Sequence, residues 1–254
     1  MDGVYLLLLA ALGLLGGVLS GLVGVGGGII FVPALVYAAG WNIQEAVAAS
    51  LVLVVFSSLS GTLRNIRSEN RINWRVTAIL SAVMAPAALA GVFASYYFGK
   101  TVVEIAFALL LLALAYPTAR GRSEREGGGS RIPLPLVLLA GVAIGVLAGL
   151  LGVGGGALLV PLMVLGFGSS TKTAASNSLA IIFFTGIVGA VGYVATGYDY
   201  LSISLPPLIV GALIGAWVGA FARNFIPEKV VRWGFAVLMV VVALRILAGT
   251  TGMF

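Results

Sequence analysis

The sequence predicts an all-α integral membrane protein of two inverted-topology repeats, each of about five helical segments, with Gly-broken helical hairpins. Three observations predict it. First, 61% of the 254 residues are hydrophobic and 9% are charged, a balance that a water-solvated domain of this length does not sustain. Apolar runs of about 20 residues, long enough to cross a hydrocarbon layer as helix, recur throughout. Second, Gly21-Leu-Val-Gly-Val-Gly-Gly-Gly28, followed by Pro33, returns 128 residues later as Gly149-Leu-Leu-Gly-Val-Gly-Gly-Gly156, followed by Pro161. The same offset, without a gap, pairs Gly13 with Gly141, Ser50 with Ser178, Phe56 with Phe184, Gly61 with Gly189, Gly91 with Gly219 and Phe107 with Phe235. Third, each copy holds an odd number of apolar segments, so the second copy enters the bilayer upside down relative to the first.

The segments of the first copy run over residues 4–23, 27–40, 45–63, 74–98 and 101–118, and adding the offset yields those of the second. The chain therefore reads as a single transmembrane domain, 1–254, made of repeat 1 (4–118) and repeat 2 (132–246) joined by the charged, glycine-containing linker 119–131. The first segment follows only one charge, Asp2, and is read as a permanent helix rather than a cleaved signal. The second segment of each copy is short: about 12 to 14 residues rising 1.5 Å each reach about two thirds of the way across. Its glycine-rich start is therefore expected inside the membrane, as the unwound tip of a hairpin surrounded by protein or by a wet cavity. A full double crossing and a re-entrant hairpin leave the chain on the same side, so the inverted arrangement holds for both.

Charge tests the topology independently. With the N-terminus outside, Arg64, Arg67, Arg71, Arg75, Arg120, Arg122, Arg125, Arg131, Lys172, Arg223, Lys229 and Arg232 all face one side, twelve of the 14 basic residues. That side is the cytoplasm by the positive-inside rule. Both termini are then extracytoplasmic, with Asp2, Glu45, Lys100 and Asp199 at the outer face and Arg245 near the outer end of the last helix. Trp41, Trp74 and the Tyr198-Asp-Tyr200 turn fit the interfacial aromatic belts.

Cysteine and histidine are both absent. This removes disulfides, thiolate nucleophiles, imidazole bases and most zinc or haem ligation, so neither an enzyme, nor a metal site, nor a cofactor is expected. The net charge of +6 is explained by topology, and no nucleic acid is expected as a partner. Ala94-Ser-Tyr-Tyr-Phe-Gly-Lys-Thr101 fits a relaxed nucleotide P-loop pattern, but no strand precedes it and it lies at an outer membrane boundary.

The candidate site is the pair of tips. Gly24, Gly26, Gly27 and Gly28, with Gly152, Gly154, Gly155 and Gly156, expose backbone N–H groups without side-chain cover just before a helix begins, where anions are favoured. In an inverted repeat the two tips approach from opposite faces near the midplane and converge on one anionic ligand. Polar residues inside apolar runs need partners or water, which adds Ser50, Ser57, Ser58, Ser60 and Thr62 in the third segment, and Ser176, Asn177, Ser178 and Thr185 in its counterpart. Of these, Ser50, Ser57, Asn177, Ser178 and Thr185 join the tip glycines as candidate ligands. Asn177 both donates and accepts, and opens the helix facing the second tip. The stripes Gly13/Gly17/Gly21, Gly141/Gly145/Gly149 and Gly211/Gly215/Gly219 are read as helix-packing faces.

The paired Gly-x-x-Gly-x-Gly-Gly-Gly-x-x-x-x-Pro motifs, Gly21 to Pro33 and Gly149 to Pro161, resemble the TauE/SafE sulfite exporter family over essentially the full chain. The resemblance implies a multi-pass carrier in the bacterial or archaeal inner membrane for small sulfur-containing anions: sulfite, thiosulfate, sulfoacetate or other C2 sulfonates. It places a substrate contact on the helix after the second motif, at Asn177 and Ser178. Ala49 stands in the first copy where Asn177 stands in the second, so an asymmetric site is expected. The rival readings are an anion channel with the same tips and a non-transporting membrane subunit.

Overall fold

The computed structural model describes residues 3–66, 72–120, 133–169, 171–196, 205–222, 225 and 228–250. Among the described residues there are ten helices and no strand: α1 (Gly3–Val23), α2 (Gly28–Tyr37), α3 (Ile43–Ile66), α4 (Trp74–Tyr97), α5 (Lys100–Arg120), α6 (Leu134–Leu151), α7 (Gly156–Phe167), α8 (Thr171–Ala195), α9 (Leu205–Ala222) and α10 (Glu228–Thr250). Six of them, α1, α3, α4, α6, α8 and α9, contain stretches long and apolar enough to cross a membrane. The linker beyond Arg120, the Tyr198-to-Tyr200 turn and the charges at Asp2, Arg67, Arg71, Arg122, Arg125, Arg131, Asp199 and Arg223 lie outside the described residues.

Helix ends follow the apolar runs to within a few residues. The third segment runs longer than expected, because α3 continues past Arg64 to Ile66. Arg64 in the last turn favours the carboxyl end of the helix dipole, and its guanidinium lies 5.8 Å from the Trp217 ring centre and 5.5 Å from that of Phe221. An arginine that spreads over two aromatic faces of α9 lets the helix carry on. At the other end of the bundle the Trp41 indole N–H donates to the Tyr5 hydroxyl at 3.0 Å, tying the chain after α2 to α1.

The main packing pairs all join one half of the chain to the other: α1 with α9, α4 with α6, α5 with α10 and α3 with α8. The pairs also exchange under the sequence offset. Moving each partner by 128 residues turns α1·α9 into α6·α4, α3·α9 into α8·α4 and α2·α3 into α7·α8, each of which is in contact. Glycine makes the closest pairs possible. A Cβ on Gly13, Gly17 or Gly21 would run into the backbone of Leu208, Ala212 or Ala216, and one on Gly211, Gly215 or Gly219 into that of Ala10, Leu14 or Val18. The four-residue spacing of both stripes lets the backbones of α1 and α9 interdigitate. Gly145 and Gly149 of α6 meet α4 in the same way at Met84 and Ala88.

Candidate functional site

α1 ends at Val23 and α2 begins at Gly28. Between them the chain reverses through Gly24, Gly26 and Gly27 at φ of 78°, 81° and 84°. The second tip repeats this at Gly152, Gly154 and Gly155, with φ of 69°, 70° and 78°. Only glycine visits this left-handed region without steric cost, which explains why the motif carries glycine at these positions in both copies. The helices that follow are short, 10 residues in α2 and 12 in α7, hence about 15 and 18 Å long. Their amino ends lie in the interior, and residues 24–29 and 151–156 are buried.

The tips touch through bare main chain. A Cβ on Gly28 would overlap the Gly152 carbonyl and lie 2.6 Å from the Val153 Cα, and one on Gly156 would overlap the Val25 carbonyl. Val54 and Ile182, equivalent positions of α3 and α8, both border Gly26 and Gly154. Among the described residues, no hydrogen bond is made by the N–H groups of Val25, Gly26, Gly27 and Gly28, or by those of Val153, Gly154, Gly155 and Gly156. Eight buried amides without acceptors, at the amino ends of two helices, form a concentrated positive potential. Buried N–H groups are nearly always paired, which makes this cluster the candidate site.

The hydroxyls around the tips divide unequally between the halves. Ser50 donates to the Gly152 carbonyl at 2.7 Å, sharing its hydrogen with the Val47 carbonyl at 2.8 Å. Ser57 donates to the Gly26 carbonyl at 2.9 Å and leans back to Val54 at 3.2 Å. α3 therefore holds a carbonyl of each tip. The equivalents on α8 hold neither: Thr185 bonds back to the carbonyls of Ile181 and Ile182, both at 3.2 Å, and the fully buried Ser178 hydroxyl has no partner.

Asn177, 1% exposed, accepts a hydrogen bond from the Asn73 N–H at 2.7 Å. Asn73 caps α4, its own side chain accepting from Val76 N–H at 3.2 Å. The Asn177 oxygen is thus engaged with the start of α4. Asn177→Ala is expected to lower the unfolding free energy in detergent by about 1 kcal/mol, the net worth of one such bond, measurable as a lower thermal midpoint. Ser58 bonds back to Val55 at 3.1 Å and Ser60 reaches the Leu213 carbonyl of α9 at 2.8 Å. Ser58 is thus satisfied within α3, and Ser60 ties α3 to α9.

Several polar groups were not singled out by the sequence. Ser20, Thr77 and Ser81 are buried with unpartnered hydroxyls, as is Thr62. Thr77 and Ser81 follow Asn73 at four-residue steps, a helix-face signal readable beforehand. Ser20 falls one turn before Gly24, a signal visible only once the tip is known to turn back onto α1. Tyr193 was also missed: its hydroxyl reaches the Gly149 carbonyl at 3.2 Å and Ser95 at 2.7 Å, pinning α8 to α4 and α6.

The family model described as "Sulfite exporter TauE/SafE" matches residues 9–246. The chain is 27% identical to the probable membrane transporter protein YunE of Bacillus subtilis, across 94% of this chain and 96% of that one. It is 28% identical to a probable membrane transporter protein of Haemophilus influenzae, across 95% and 97%. A probable membrane transporter protein of Methanocaldococcus jannaschii is 26% identical, across 81% and 80%. No solved structure matches the chain. With the duplicated motif, the helical membrane architecture and a family match across nearly its whole length, the chain belongs to the sulfite exporter TauE/SafE family of membrane transporters.

Proposed function

We propose that the chain is a secondary transporter exporting small sulfur-containing oxyanions, of the class of sulfite, thiosulfate and C2 sulfonates such as sulfoacetate. The anion binds where the two glycine tips meet, and its exposure alternates as one inverted repeat rocks against the other. The observation that carries the reading is the meeting of two buried main-chain tips whose eight N–H groups lack acceptors. An oxyanion presents several acceptor oxygens to amides arriving from opposite sides, and a desolvated site strengthens each bond. Ser178 and Asn177 line the second repeat's share of the site, while Ser50 and Ser57 position the tips. The hydroxyl bonds of α3 to both tips hold the described conformation, and the opposite-facing conformation transfers that role to Ser178 and Thr185 of α8. The basic inner loops set the orientation, with both termini outside.

Counterflow in proteoliposomes tests the reading against its rivals. Labelled sulfoacetate or sulfite is expected to accumulate transiently against unlabelled anion inside; a channel dissipates it without counterflow, and a non-transporting subunit moves none. No acidic residue lies within the tips, and an anion leaving a negative interior gains about 2.3 kcal/mol per charge per 100 mV. Collapsing the pH gradient at constant membrane potential is therefore expected to leave export unchanged, whereas collapsing the potential slows it. Dependence of export on the pH gradient alone would contradict a potential-driven carrier.

A further inference from the structure

Ser20 lies on α1 one turn before Gly24, whose N–H donates to the Ser20 carbonyl at 2.8 Å. Its side chain is fully buried, at 0% exposure, and its hydroxyl has no hydrogen-bond partner. A serine on a helix ordinarily escapes the cost of burial by donating back to a carbonyl one turn earlier, as Ser50, Ser57, Ser58 and Ser95 do. Ser20 does not. Its Cβ forms the wall of the first tip: a Cβ on Gly27 would stand 3.0 Å from it. An unpartnered donor is therefore carried by the residue that walls the first tip at Gly27.

The second half holds the matched comparison. The equivalent of Ser20 is Ala148, whose Cβ lies 3.4 Å from the place a Cβ on Gly155 would occupy. The wall is the same, and the hydroxyl is missing. We propose that Ser20 is a ligand of the oxyanion, donating its hydroxyl to an anion oxygen beside the first tip and making that tip the stronger half of the site. The proposal rests on the reading that an oxyanion binds where the tips meet, and deepens it by adding a ligand. A pyramidal sulfite or sulfonate head, with three oxygens, can meet amides of both tips and Ser20 together. A backbone-only site would not distinguish the two halves.

The test is calorimetric binding of sulfite and of sulfoacetate to the full-length protein in detergent, for wild type, S20A, S20C and S20A/A148S. Alanine already occupies the matched position of the second half, and a thiol, somewhat larger than the hydroxyl, keeps the side chain's shape while donating poorly. S20A and S20C are expected to weaken both anions by about tenfold or more, the worth of one hydrogen bond to a charged group. Their thermal midpoints in the absence of anion are expected not to fall, since no bond is removed. S20A/A148S, which moves the hydroxyl to the second tip, is expected to recover most of the affinity. Wild-type affinity in S20A and S20C overturns the role of Ser20 and leaves the anion reading standing. Failure of the wild-type protein to bind either anion overturns both.

Discussion

Gly28→Ala is expected to abolish anion exchange in proteoliposomes while leaving a folded, monodisperse protein. Gly28 is a helical residue without positive φ, so alanine there is not strained by its own backbone. What it meets is the other tip: the Gly152 carbonyl and, at 2.6 Å, the Val153 Cα. Both are main-chain atoms with no rotamer to give, so the tips must separate. An oxyanion bridging them would then lose its bonds to one side. Two bonds to a charged group are worth about 3 to 6 kcal/mol, which places the loss of affinity above about a hundredfold. Gly156→Ala is expected to act alike, through the Val25 carbonyl. Gly40→Ala separates strain from spacing. Gly40 has φ of 74° and nothing within 4 Å of a Cβ, so alanine costs about 1–2 kcal/mol in backbone strain and leaves exchange intact. Equal loss in Gly40→Ala and Gly28→Ala would mean that tip spacing is not what matters.

Gly149→Ala is expected to have the largest effect on folding. Its Cβ would run into the Ala88 carbonyl of α4, with the Ala88 carbon at 2.8 Å and the Val92 nitrogen at 3.0 Å. The same glycine offers its carbonyl to the Tyr193 hydroxyl, so moving α6 outward also strains a buried bond between α6 and α8. Overpacking a close interface costs about 1–3 kcal/mol when side chains can yield and more when they cannot; here main chain faces main chain, and about 3 kcal/mol or more is expected. That is a large share of a typical total stability of about 5–15 kcal/mol. Gly141→Ala, two stripe positions earlier on α6, is the control. Its Cβ would meet the side chains of Leu80, Met84 and Val83, at 3.6, 3.7 and 4.0 Å, ordinary contact distances. Thermal unfolding in detergent is expected to show a midpoint lowered sharply for Gly149→Ala and close to wild type for Gly141→Ala.

The glycine stripes were legible because close backbone approach in lipid needs small residues at four-residue spacing, and Gly13, Gly17 and Gly21 oppose Gly211, Gly215 and Gly219 as that rule requires. Gly141 departs from it, since spacing along one helix says nothing of the distance to the next. The tips were legible for a similar reason: three left-handed residues in five demand glycine, and the demand is written twice. The roles of the hydroxyls were not legible. Ser50 and Ser178 occupy matched positions, yet one is bonded to the opposite tip and the other to nothing. That difference is set by how the two halves pack against each other, which matched positions in the sequence do not reveal. Asn177 was read as facing the second tip, and its oxygen is engaged by Asn73 of α4. That pairing depends on α4 lying beside α8, a contact between the halves with no local sequence signature.

The account depends on an oxyanion being gripped by the amides of both tips. Selenite, the selenium counterpart of sulfite and a strong anomalous scatterer, locates that anion directly in crystals of the full-length protein. The account predicts one dominant anomalous peak between Gly26–Gly28 and Gly154–Gly156, within hydrogen-bonding reach of amides from both tips. A dominant peak elsewhere, such as at the amino end of α4 or beside Arg245, with the tips still packed against each other and no selenium between them, would contradict it.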